Sequence, residues 1–277
     1  MSLAAQDATD VKGYTDPVHV MKYAAAVARK VVGSATACIV AIENSDLIAA
    51  NLGDSGFMVV RPSKDNKSVK LIMKSEEQQH QFNFPYQLGS SSSDRPDDAD
   101  LYRLSVEDGD LIILGTDGLF DNIDEKYICK LVANVVAATQ GDFKLAQLAR
   151  LIADEAFKVS QNPNAKTPFQ IASRNYFIGG KPDDITVLVS RVRSSPKTTS
   201  DKQNTTKTAD GESTQPKESD SKSQTTNKLS TASEDSDALL KTSAASNEEV
   251  ECVQVAQMSL LERVFGLRPW TLTPARL

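Results

Sequence analysis

The sequence predicts an α+β domain built on antiparallel strands, and three observations carry that expectation. Strand-like apolar runs follow one another across short polar turns between residues 35 and 74. Amphipathic helical patterns precede and follow these runs, at residues 17–31 and 125–159. A last run, "DITVLVSRV", has the length and β-branched content of one more strand.

The chain has 277 residues, 40% of them hydrophobic, which suffices for a substantial core. Residues 1–13 are expected to be flexible, and the folded domain to occupy 14–192. Its first helix has Asp16 as N-cap and Pro17 at the first helical position, with Val20, Ala24, Val27 and Val31 on one face before Gly33. "ATACIVAI" and "LIAANLG" then form a hairpin about the polar turn 43–46, and "SGFMVV" and "VKLIM" continue it as an antiparallel meander. Residues 76–103 read as a long polar connection to a strand at 110–116. Asp124 caps the next helix, with Ile123 facing Ile128 as a hydrophobic staple. Leu145, Leu148, Ala149, Ile152, Ala156 and Val159 give a further helix one apolar face to lay on a sheet. A loop over 160–182 leads to the final strand.

Residues 193–248 are rich in Ser, Thr and Lys and hold no aromatic residue, so they bury too little apolar surface to offset backbone entropy and are expected to be disordered. Over 249–277, Val253, Ala256, Leu260, Leu261 and Val264 fall at helical spacing, an amphipathic segment able to dock on a partner. A net charge of −6 argues against nucleic-acid phosphates or anionic lipid as partners. Three scattered cysteines make no disulfide framework or zinc site, and no apolar run has the length of a membrane span. The acidic N-terminus differs from a basic signal or transit peptide.

The chemistry is expected at strand ends. In "LIILGTDGLFDNIDEKY" a buried-type strand runs into Asp117 between two glycines, and Asp183 and Asp184 stand just before the last strand. If those strands are antiparallel neighbours, Asp117 and Asp183 share one rim. Asp54, in "NLGDSG", leaves its strand in the same manner. Each position alone also reads as a turn or cap residue. Together, hard oxygen ligands favour Mg²⁺ or Mn²⁺ over zinc. His80 is a candidate general acid or a solvated loop residue, and Cys38 and Cys129 read as core. No Gly-x-Ser-x-Gly elbow, Walker loop or dinucleotide fingerprint is present.

The ordered segments "GSATACIVAI", "ANLGDSGFMVVR", "SEEQQHQFNFPYQL", "GDLIILGTDGLFDNI" and "GGKPDDITVLVS" resemble the metal-dependent type 2C (PPM) Ser/Thr protein phosphatases over residues 33–192, most of all their mitochondrial Ptc-seven-like branch. The resemblance implies two antiparallel sheets flanked by helices. It implies two Mg²⁺ or Mn²⁺ ions at one rim and a metal-activated water that hydrolyses phosphoserine or phosphothreonine in phosphoprotein substrates. By position, Asp117 and Asp183 match metal ligands, Asp54 and Asp121 match the site of an additional, weaker metal, and Asp184 matches no ligand but a residue that supports the ligands or starts the strand. The family's N-terminal Asp-Gly-x-Gly-Gly has no counterpart here, so the sequence is expected to begin inside the domain, with unpaired sheet edges and weakened metal affinity. The alternative is a catalytically inactive, phosphatase-like binding protein. A mitochondrial location follows from the branch alone.

Overall fold

The structure, a computed structural model, describes residues 1–90, 92–194 and 250–258. Of the tail expected over 193–248, all but residues 193 and 194 lie outside the described residues, as do residue 249 and residues 259–277 of the amphipathic segment. In chain order the elements are α1 (Ser2–Asp10), α2 (Pro17–Ala28), β1 (Ser34–Ala35), β2 (Ala37–Glu43), β3 (Asp46–Leu52), β4 (Gly56–Pro62), β5 (Val69–Lys74), β6 (Gln79–Gln81), β7 (Phe84–Pro85), β8 (Leu88–Gly89) and β9 (Asp100–Ser105). They continue with β10 (Leu111–Gly115), α3 (Asp117–Phe120), α4 (Glu125–Thr139), α5 (Leu145–Ser160), α6 (Pro168–Ala172), β11 (Ile185–Val192) and β12 (Val250–Met258).

Two antiparallel sheets face each other, one ordered β2-β3-β9 and the other β12-β11-β10-β4-β5. The two-residue period of the strands builds the layers. Phe57, Val59 and Ile112 point toward the smaller sheet and pack with its Leu47 and Ala49. Met58, Val60, Leu111 and Ile113 point the other way, into a core shared with Ile128, Val132 and Val136 of α4 and Leu148, Ile152 and Ala156 of α5. On the far side Met21 of α2 packs on Ala50 and Leu52 of β3. The order is therefore helix, sheet, sheet, helices: the α-β-β-α sandwich expected from the resemblance.

The local signals behave as read. The Asp16 carboxylate accepts from the amides of Val18 and His19 at 2.8 and 2.9 Å, and that of Asp124 accepts from Tyr127 N at 2.7 Å. Ile123 and Ile128 are both buried in one cluster. Five expectations need correction.

Residues 2–10 form α1 rather than a flexible lead, because Ala8 is buried and the Tyr23 hydroxyl of α2 donates to Asp7. The stripe on α2 is buried through Val20, Met21 and Ala24 only. Val27 is half exposed and Val31 lies past the helix end, since a stripe is covered only as far as the surface beneath it reaches. β2 to β5 are not one meander: β3 and β4 lie in different sheets, and Gly53 at φ 103° makes the crossing between them.

The connection 76–103 holds β6 to β8 and most of β9, whose residues alternate between half-buried and exposed. Leu101 on the exposed face masks that alternation in the sequence. Finally, residues 250–258 form β12, paired antiparallel with β11 from Ile185↔Met258 to Val192↔Val250. "VECVQVAQM" is β-branched at every few positions, and an available sheet edge outweighs its weak helical spacing.

Candidate active site

β10 runs between β4 and β11, antiparallel to both, with Gly115 opposite Gly56 on one side and Val187 on the other. The end of β10 therefore lies beside the starts of its two neighbours. Asp117 follows Gly115 by two residues, Asp54 precedes Gly56 by two, and Asp183 precedes Ile185 by two. The shared rim expected for Asp117 and Asp183 is present, and Asp54 and Asp121 belong to it.

Close packing fixes these turns. A Cβ on Gly118 would stand 2.4 Å from the Asp184 carbonyl oxygen, so only glycine lets α3 approach the start of β11. Its amide donates to Asp117 Oδ1 at 2.8 Å. The Thr116 hydroxyl donates to Asp184 O at 3.2 Å and accepts from Thr186 N at 3.1 Å, tying the two strand ends together. The turn bearing Asp54 is held from below by fully buried Asn51, whose Nδ2 donates to Glu76 O at 3.2 Å. Asp184 contributes its main chain to this junction, its carbonyl accepting from Thr116 and its amide donating to Asp183 Oδ1 at 2.8 Å.

Sequence reasoning passed over the residue at the centre. Lys181 Nζ donates to Asp117 Oδ2 at 2.7 Å and Asp121 Oδ2 at 2.6 Å, and stands 3.4 Å from Asp183 Oδ2. The only local signal was a lysine two residues before an acidic pair, which is common on any surface. Its backbone is fixed by buried Asn122, which donates to Lys181 O and accepts from Lys181 N, both at 2.9 Å, while also donating to Gly118 O.

The electrostatics are those of crowded anions. Burial, then the charge of Asp117, pushes the Asp54 carboxyl up to about 6. Burial pushes Asp121 up to about 7 against the opposing pull of Lys181, with Asp117 adding to the rise. Asp183 is raised by burial and by Asp117. Burial opposes the charge of Lys181, but its hydrogen bonds to Asp117 and Asp121 carry it above the ordinary lysine value. One cation thus leaves four carboxylates under-neutralised.

That charge deficit and the all-oxygen donor set fit a hard divalent cation. As the side chains stand, no three His, Cys, Asp or Glu groups among the described residues are arranged to hold an ion, and the central place belongs to the lysine.

The remaining candidates take other roles. His80 Nε2 lies 3.0 Å from Asp94 Oδ1, and its ring stacks on Tyr86 at 4.1 Å. Burial pushes the Cys38 thiol up to about 12, which suits a core residue and not a nucleophile. Cys129 packs against the helical side of the larger sheet.

No family model matches the sequence. The chain is 36% identical over 206 residues to "Protein phosphatase PTC7 homolog fig" of Drosophila willistoni, covering 69% of this chain and 59% of the relative. It is 43% identical over 196 residues to "Probable protein phosphatase 2C 55" of Arabidopsis thaliana, covering 69% and 39%. The structure superposes on that of the photosystem II phosphatase PBCP with a TM-score of 0.60 at 28% identity, over 69% of this chain and 77% of the other. The chain spans 59%, 39% and 63% of the first three curated relatives it matches. The chain is thus similar in sequence to type 2C protein phosphatases, PTC7 homologues among them, and in fold to the phosphatase PBCP.

Proposed function

We propose that this chain hydrolyses phosphoserine and phosphothreonine in protein substrates at the rim formed by β4, β10 and β11, with Mg²⁺ or Mn²⁺ as cofactor. The observation that carries the reading is the meeting of Asp117, Asp121 and Asp183 at Lys181 Nζ, with Asp54 near enough to feel the charge of Asp117, and the similarity to type 2C phosphatases is its context. When bound, divalent ions would supply a water of lowered pKa and charge neutralisation for phosphoryl oxygens. Asp117 and Asp183 are the ligands we assign first, with Asp54 and Asp121 completing the acidic wall.

The chain's own residues do the positioning. Gly118 lets the Asp117 turn sit against β11, Asn122 anchors residue 181, and Thr116 locks the two strand ends in register. No protein nucleophile is assigned, since the cluster holds only carboxylates and one ammonium group. No described helix is long and apolar enough to cross a membrane. A mitochondrial location belongs to the same proposal, supported by the resemblance to PTC7 homologues, and organelle fractionation checks it.

The test is Mn²⁺-dependent hydrolysis of a phosphothreonine peptide by the purified chain, its Asp117→Asn variant and an EDTA control. Metal-dependent turnover lost in the variant supports the reading. A folded, monodisperse sample without turnover overturns it in favour of a phosphatase-like binding protein.

A further inference from the structure

The position of Lys181 carries a further inference, which rests on the metal part of the reading above. Its ammonium group occupies the point on which Asp117, Asp121 and Asp183 converge, within 2.6 to 3.4 Å of all three. A divalent cation and this ammonium cannot share the same carboxylate oxygens. The lysine backbone is pinned by the paired hydrogen bonds to Asn122, so any yielding must come from the side chain.

Two further groups already border the ammonium in this pose. Nζ stands 3.4 Å from Asn83 Oδ1, at the tip between β6 and β7, and 4.9 Å from the centre of the Phe169 ring in α6. An amide oxygen and an aromatic face are both favourable neighbours for an ammonium ion. Four single bonds in the lysine stem let Nζ turn off the carboxylates and keep these two partners without a backbone change.

We propose that Lys181 is a tethered counter-cation: it neutralises the carboxylate cluster while metal is absent, and it must leave the carboxylates, keeping only Asn83 and Phe169 as partners, for a divalent ion to enter. Metal affinity in this chain is then set by competition with its own side chain. The same contact protects the metal-free fold from carboxylate repulsion.

The test is calorimetric titration of Mn²⁺ into the full chain and its Lys181→Met variant in one buffer, with thermal melts in EDTA. The variant is expected to bind Mn²⁺ about ten-fold tighter or more, because a competing charge a few ångströms away is gone. Its melting temperature in EDTA falls and is recovered by Mn²⁺. Equal or weaker Mn²⁺ affinity in the variant overturns the inference and leaves the metal reading standing. No Mn²⁺ binding by either chain overturns both.

Should the variant fail to fold, the wild-type chain decides through acylation of Lys181 by an N-hydroxysuccinimide ester, read by peptide mass spectrometry. Labelling is expected to rise when Mn²⁺ replaces EDTA. Labelling that does not change with Mn²⁺ bound overturns the inference.

Discussion

Asn122 and Lys181 hold each other through a reciprocal pair of hydrogen bonds, side-chain amide to main chain in both directions, at 2.9 Å each. The pair joins the turn after β10 to the loop before β11, so the Asp117 and Asp183 sides of the cluster keep a fixed spacing.

Asn122→Ala removes that clamp inside a buried site and leaves the main-chain groups of Lys181 and the Gly118 carbonyl without their partner. A loss of about 2–4 kcal/mol is expected, as for other buried unsatisfied groups. Urea denaturation of the two proteins measures it, and a difference below about 0.5 kcal/mol would show that the clamp is dispensable.

Gly118→Ala tests the close approach of α3 to β11. The added methyl group meets the Asp184 carbonyl at 2.4 Å, a backbone atom with no easy retreat. Destabilisation of about 1–3 kcal/mol is expected from overpacking. Turnover, if the proposed activity holds, should drop about 10²-fold as the Asp117 turn is displaced. Steady-state kinetics at saturating Mn²⁺ and a thermal melt report the two effects separately.

Asp54→Asn should stabilise the metal-free chain. Burial and the Asp117 charge already hold the Asp54 carboxyl at about 6, so at pH about 8 the folded chain keeps an unfavourable anion there. Replacing it with a neutral amide is expected to add about 1 kcal/mol, or roughly 2–4 °C in melting temperature measured in EDTA. An unchanged or lower melting temperature would mean that Asp54 is not strained by its neighbours.

Asp94 provides a pH prediction away from the cluster. Burial works against its charge, but the Gln87 amide, His80 and Ser92 together hold its carboxyl below the usual range. A depressed carboxylate contributes stability above its unfolded value near 3.8, and that contribution fades as pH falls through the folded value. Asp94→Asn should therefore cost about 1–2 kcal/mol near neutral pH. The gap to wild type should shrink below pH 4. Urea titrations at a series of pH values check the sign, and a gap that widens on acidification would refute it.

The sequence by itself determined the local elements and the chemistry of the site. Caps at Asp16 and Asp124, the staple of Ile123 and Ile128, the hairpin turn at 43–46 and the carboxylates at strand ends all depend on residues a few positions apart, where side-chain type and spacing dictate the backbone. Antiparallel pairing of the strands bearing Asp117 and Asp183 was legible as a condition, and the register of β10 with β11 meets it.

Only the tertiary structure decided what depends on distant segments meeting. Period-2 patterning says that β3 and β4 each have two faces to bury, but not that Gly53 sends them into different sheets. The spacing of Val253 and Ala256 suits a helix in isolation, and the open edge of β11 makes it a strand. Lys181 looks like any exposed lysine until Asn122, some sixty residues away, fixes its backbone beside three carboxylates. Its role comes from long-range packing, which short-range sequence patterns do not encode.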